Sequence, residues 1–233
     1  MRELATIGRE AGRPLSVLDV GCWDGKATVA YRSTLQGPAA GVEVYPGPAA
    51  EARAKEIDVA EVDVEAGRMP WPDGQFDVIV ANQVFEHLKN VWLPMGEIGR
   101  LLAPNGTLVF SVPNLASFHN RVMLAFGYQP SSIRTFGPHV RGFTYRQARE
   151  FVEYGGFLEV IRTRGVGFYP LPARLASVPA NLWVGGCHTP ILVARRNAAP
   201  ETPPPWESLA TSPMGEQTFY ASAGTARVEP VRT

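Results

Sequence analysis

Short apolar runs alternate along this chain with segments whose apolar residues recur at helical spacing, the pattern of a parallel sheet covered by helices. Near-continuous apolar runs, expected of strands buried on both faces, fall at residues 16–20, 39–45, 59–64, 76–82, 107–113, 157–164 and 189–195. Helical patterns lie between them at 26–35, 49–57 and 93–102, the last with Ile98, Leu101 and Leu102 on one face. Punctuation agrees with these bounds. Pro72-Asp73-Gly74 forms a turn before the fourth strand, and Pro104-Asn105-Gly106 stops a helix before the fifth. Thr144-Tyr145-Arg146-Gln147 fits a capping box, and Gly155-Gly156 suits the left-handed end of the helix it opens. The pattern predicts an α/β fold, doubly wound, with seven strands.

Two long connections interrupt the alternation. Residues 114–142 hold a helical pattern (Leu115, Phe118, Val122, Phe126) followed by a Gly/Pro/Ser-rich loop, and 165–186 form an apolar, Pro-rich linker. From Asn197 a proline cluster with little periodicity predicts a disordered tail over 197–233, which leaves one domain over 1–196. Formal net charge is zero, so nothing in the balance marks a nucleic-acid or anionic-membrane partner. No apolar run reaches the ~18–20 residues that span a bilayer, and the first fifteen residues lack a signal-peptide core. Cys22 and Cys187 sit in apolar surroundings without CxxC spacing, which predicts buried free thiols in a reducing cytoplasm. No metal-ligand set is read from the spacing.

The candidate chemistry is at "VLDVGCWDGK", residues 17–26, where the first strand breaks into a tight turn at the place where open α/β sheets bind ligands. A nicotinamide dinucleotide turn needs G-x-G-x-x-G for pyrophosphate to approach bare backbone. Here Trp23 and Lys26 replace the second and third glycines, and no P-loop motif is present. With Asp19 included, the segment resembles the E/D-x-G-x-G-x-G motif of class I S-adenosylmethionine-dependent methyltransferases, as Asp19-Val20-Gly21-Cys22-Trp23-Asp24-Gly25. Further segments are similar to that family in the same order: Glu43 at the end of the second strand, Asp63 at the end of the third, residues 69–88 around the fourth, and 100–114 around the fifth. Trp23, at the family's middle glycine, is the departure.

The resemblance implies a Rossmann-like methyltransferase sheet with its last strand antiparallel and S-adenosyl-L-methionine as cofactor. It places Asp19 against the methionine ammonium, backbone at Gly21, Cys22, Trp23 and Gly25 beside the methionine, and Glu43 with Val44 at the ribose. Asp63, Val64 or Glu65 faces the adenine, and Asn82 and Gln83 lie where donor and acceptor meet. His87, in "FEHL", either takes a proton from the acceptor or orients the loop with Glu86. His119 and His139, both in the long connection, are within reach of the same site, and His188, beside the last strand, is not. The acceptor implied is a small molecule methylated at oxygen, a hydroxyl or carboxylate that extends to glycan-related compounds, held by the two insertions. Arg121, Arg134 and Arg141 in the first insertion suit an anionic acceptor; the second suits an apolar pocket, a homodimer contact or a membrane surface. The short N-terminal arm leaves the site open or completed by a partner chain. The rival is a non-catalytic regulatory or accessory protein on the same fold, reached if Trp23 plugs the turn.

Overall fold

The computed structural model describes residues 1–200 and 202–206. Its first half runs α1 (Arg2–Ala11), β1 (Leu15–Val20), α2 (Lys26–Leu35), β2 (Gln36–Val42), α3 (Pro46–Arg53) and β3 (Asp58–Ala60). β4 (Phe76–Asn82), a 3-10 turn at Phe85–His87, α4 (Trp92–Leu101) and β5 (Leu102–Ser111) follow. The remainder is α5 (Phe118–Ala125), α6 (Tyr145–Val152), β6 (Leu158–Val166), α7 (Ala173–Leu182) and β7 (Thr189–Arg196). The strands form one sheet in the order β3-β2-β1-β4-β5-β7-β6. β7 runs antiparallel to β5 and β6, and the other pairs are parallel. This is the doubly wound seven-stranded sheet with an antiparallel last strand. Winding reverses between β1 and β4, so their carboxyl ends frame the crevice where ligands bind in such sheets.

Alternation along each strand sends side chains to two cores. Val17, Val78, Val80 and Val109 pack with Leu4 and Ile7 of α1 and with Tyr31 and Leu35 of α2. Leu18, Ile79, Leu108 and Phe110 pack with Phe85, α4 and α6 on the other face. Each fully buried large side chain of this kind stabilises by about 1.5–3 kcal/mol. Asp19 lies one position from Leu18 and is therefore presented to α2, a polar group within an apolar strand.

The helix over Lys26–Leu35 and the strand over Phe76–Asn82 have the bounds expected of them. At the α6 start, Thr144 accepts a bond from the Gln147 N–H at 3.2 Å, as the capping box predicts. Three elements differ. β3 ends at Ala60 rather than Val64, because Asp63 folds the chain: its Oδ1 accepts from the Glu65 N–H, and its carbonyl accepts from the Ala66 and Gly67 N–H groups. α1 carries only two buried apolar residues, Leu4 and Ile7, too few to register as a period. Beside that apolar contact it is fastened by charge, with Glu3 paired to Arg164 at 3.0 Å and Glu10 to Arg162 at 2.7 Å on β6. The linker over 165–186 contains α7, with Pro179 inside it.

Within the segment expected to be disordered, residues 202–206 pack back on the domain. Trp206 is 2% exposed and stacks on Trp92, with Phe151 and Tyr154 around it. A buried tryptophan supplies enough apolar area to fasten a proline-rich strand that has no ladder hydrogen bonds. The rest of that segment, 207–233, lies outside the described residues.

Candidate functional site

The turn after β1 is shaped by two glycines in the left-handed region, Gly21 at φ 76° and Gly25 at φ 75°. Space forbids a side chain at either. A Cβ on Gly21 would stand 2.9 Å from Cγ2 of Val84, and one on Gly25 would stand 2.5 Å from Cδ1 of Ile57. Val84 follows β4 at the other side of the crevice, so the Gly21 contact closes the crevice floor. Cys22 and Cys187 are free and buried, their thiols pushed up to about 12 and about 11 by burial.

Asp19 is 4% exposed, and its Oδ2 accepts from the Thr28 hydroxyl of α2 at 2.6 Å. Burial pushes its carboxyl up to about 7; the Thr28 bond opposes that rise and the charge of Glu43 adds to it. Glu43, also buried, is the clamp of the turn. Its Oε2 accepts from the Trp23 N–H and its Oε1 from the Tyr45 N–H, both at 3.0 Å. Each carboxylate oxygen has a second lone pair, so both remain able to accept from a ligand hydroxyl.

Trp23 does not fill this turn. It adopts φ 48°, is 58% exposed, and meets exposed Tyr45 edge to face at 6.0 Å. The two rings form a rim outside Glu43. Val44 is exposed beside them. Asp63 is exposed in the turn beyond β3, while Val64 packs against the core.

At the end of β4, Asn82 Oδ1 accepts from the Ser111 hydroxyl at 2.6 Å, and Gln83 takes a left-handed φ of 58°. The chain then turns through Phe85–His87. His87 and His139 meet edge to face with ring centroids 4.7 Å apart. His87 Nδ1–H donates to the Pro138 carbonyl at 3.3 Å, and His139 Nδ1–H to the Ser132 carbonyl at 2.8 Å. Burial and the nearby His139 pull the His87 imidazole below its usual range, so it is neutral at neutral pH. His119, expected within reach of the site, and His188 lie apart from this pair, both against Tyr169.

Sequence reasoning pairs Glu86 with His87 but does not foresee its burial, and it misses the roles of Asn114 and Asn120. Glu86 is 1% exposed, pushed up to about 7 by burial, and neither carboxylate oxygen has a hydrogen-bond partner. Asn114 donates to the Gly185 and Cys187 carbonyls and accepts from the Ala116 N–H. Asn120 donates to the Asn114 carbonyl and the Ser132 hydroxyl. The asparagine in "SVPN" and the Glu-His pair were visible signals; which of them would be buried was not. The arginines of the insertion are engaged separately rather than gathered: Arg121 donates to the Ala116 carbonyl and lies over the Trp183 ring, and Arg141 donates to the Lys89 carbonyl.

A cavity of about 720 Å³ opens beside Asn82, between α1, α2, α7 and the sheet. Its lining is mostly apolar, including Leu4, Tyr31, Val80, Val109, Ala176 and Ile191.

Comparison with known proteins agrees with the fold. The family model described as a methyltransferase domain matches residues 1–157. A probable S-adenosylmethionine-dependent methyltransferase of Mycolicibacterium smegmatis is 32% identical over 178 residues, 71% of this chain and 61% of that protein. An uncharacterized 37.1 kDa protein in transposon TN4556 of Streptomyces fradiae is 29% identical over 104 residues, 42% of this chain and 30% of its own length. The chain thus spans less than two thirds of the length of these relatives. Among solved structures, an S-adenosylmethionine-dependent methyltransferase from Mesorhizobium loti superposes with TM-score 0.56 at 16% identity, over 79% of this chain and 92% of that one. The [4+2]-cyclase SpnF gives TM-score 0.59 at 19% identity, over 83% and 80%. With residues 1–157 of its 233 matched by the family model, the chain belongs to the methyltransferase-domain family, and its seven-stranded sheet with an antiparallel last strand has the class I Rossmann-like fold of the solved methyltransferase it superposes on.

Proposed function

We propose that this protein is an S-adenosylmethionine-dependent methyltransferase that moves a methyl group to oxygen on a small molecule. The observation that carries the reading is the pair of buried carboxylates, Asp19 and Glu43, at the ends of adjacent strands on either side of an open glycine turn. Asp19 suits the cofactor's ammonium, and the free lone pairs of Glu43 suit the ribose hydroxyls. The exposed Val44 suits one face of the adenine, with Asp63 or Val64 at its amino edge. Trp23 stands on the rim, which favours the enzyme over the accessory-protein rival.

Methyl transfer from a sulfonium is an in-line displacement with a good leaving group, so alignment and exclusion of water are the protein's main contributions. An oxygen acceptor is supported by His87, whose neutral imidazole lies beyond the end of β4 and can take a hydroxyl proton. The apolar cavity at Asn82 favours an acceptor with a hydrocarbon portion. Among the described residues no helix is long and apolar enough to cross a membrane. Together with the two buried free thiols, this favours the cytoplasm.

Calorimetric titration with S-adenosylmethionine and its demethylated product tests the reading. Micromolar binding, lost in Glu43→Ala while the circular dichroism spectrum is kept, is the expected result. A folded wild-type protein that binds neither compound rejects it.

A further inference from the structure

One ligand atom from each of Glu86, His87 and His139 lies within 4.8 Å of the other two. We propose that these three side chains form a site for a first-row divalent metal ion such as Zn²⁺, two imidazoles and a carboxylate with coordination positions left open. The proposal rests on the methyltransferase reading only for what the ion does, not for its binding.

The strongest observation is the Glu86 carboxylate. It is buried, faces His87 Nε2 at 4.0 Å, and has no hydrogen-bond donor for either oxygen. Among the described residues no lysine or arginine pairs with it; the nearby Arg141 spends its Nη2 on the Lys89 carbonyl. A buried anion without a partner is costly, and a cation among these ligands removes that cost.

The imidazoles are already set as ligands. Each gives its Nδ1–H to a backbone carbonyl, Pro138 for His87 and Ser132 for His139, which fixes the tautomer with the Nε2 lone pair free. Metal-bound histidines are held in this way. The two loops that carry the site are clipped together, since the Val140 and Arg141 N–H groups both donate to the Glu86 carbonyl at 2.9 and 3.1 Å. His139 is anchored from behind through Ser132, whose hydroxyl accepts from Asn120.

Bonds of about 2.0–2.2 Å to nitrogen and oxygen require neighbouring donors to stand about 3–3.5 Å apart, so the ligands draw in by roughly an ångström when the ion enters. The His87 side chain, 41% exposed, has the freedom to do so and leaves the open face toward solvent. Two imidazoles with one carboxylate suit Zn²⁺ or Fe²⁺ rather than Mg²⁺ or Ca²⁺.

The site follows Val84, which touches the Gly21 turn, by two residues. There an acceptor hydroxyl bound to the ion would lose its proton to water more readily than a free one. The oxygen would then bond to the methyl carbon as the carbon–sulfur bond breaks, with the bonding pair staying on sulfur to give a neutral thioether. With the ion in place His87 would serve as a ligand and the proton would pass to water, replacing the direct transfer to His87 that is open to the metal-free protein.

The test is titration of tag-free, chelator-treated full-length protein with Zn²⁺ by calorimetry and with Co²⁺ by visible absorption. One ion per chain is expected, with Glu86→Gln and His139→Ala each weakening it at least about ten-fold and His119→Ala leaving it unchanged. S-adenosylmethionine affinity is measured on the same samples and is expected to be unaffected. Absence of binding to folded wild-type protein, or binding that ignores the two substitutions, overturns the metal site. Metal binding without cofactor binding keeps the site and rejects the methyltransferase reading instead.

Discussion

Glu43 and Glu86 are the same residue in nearly the same setting, both buried and both just beyond a strand of the central sheet. Glu43 receives two backbone N–H groups and so locks the turn that it follows. Glu86 receives none. One side of the crevice therefore arrives complete and needs only a ligand that adds to it, whereas the other carries a charge that the fold itself does not answer. Burial alone does not tell a structural carboxylate from a ligand-seeking one; the donors around it do.

The contrast can be broken most severely at the completed side. Gly25→Val should destabilise the protein by about 3 kcal/mol or more, from left-handed strain and the clash with Ile57 together. Chemical denaturation measures it, and a midpoint near wild type would mean that the turn is not the rigid element described.

Removing the clamp comes next. Glu43→Ala leaves the Trp23 and Tyr45 N–H groups unmet and should cost about 2 kcal/mol of stability, with cofactor binding lost. Replacing the unanswered charge has the opposite sign. Glu86→Leu in metal-free protein should gain about 1–2 kcal/mol. If both substitutions destabilise equally, the distinction between the two glutamates fails.

A gentler probe uses Asp19. Its carboxyl is raised to about 7 in the folded state, so protons stabilise the fold there. Stability of the free protein should fall as pH rises from about 4, the unfolded carboxyl's range, to about 7. A bound ammonium favours the ionised form, so cofactor affinity should rise about ten-fold between pH 5.5 and 7. Asp19→Asn should flatten both profiles; a wild-type affinity flat with pH would separate Asp19 from the ammonium. The smallest effect belongs to the rim. Trp23→Ala should change cofactor affinity by about five-fold or less, since an exposed edge-to-face pair contributes about 0.5–1 kcal/mol.

Much of the completed side was legible in sequence because its requirements are local. Asp19, Gly21 and Gly25 lie within seven residues, and Glu43 closes the next strand, so periodicity and turn chemistry place them without tertiary knowledge. Asp63 was set at a strand end because the apolar run continued past Ala60; the Asx turn that ends β3 depends on one side-chain bond. α1 was invisible because two apolar residues make no period and its anchors, Arg162 and Arg164, lie far along the chain. Sequence reasoning brings His87 and His139 to one site; that the returning loop, about fifty residues on, seats them against a buried Glu86 without donors is what no local pattern encodes.

That return has a consequence for how the protein can change. Asn114 and Asn120 fix one end of the first insertion and the Glu86 carbonyl fixes the other. Between those anchors, residues such as Leu124, Phe126 and Tyr128 are exposed. Within it Ser131 and Ser132 are held by Asn120 and His139 by Ser132, so substitutions at the exposed positions 124, 126 and 128 can accumulate without disturbing the loop that seats His139.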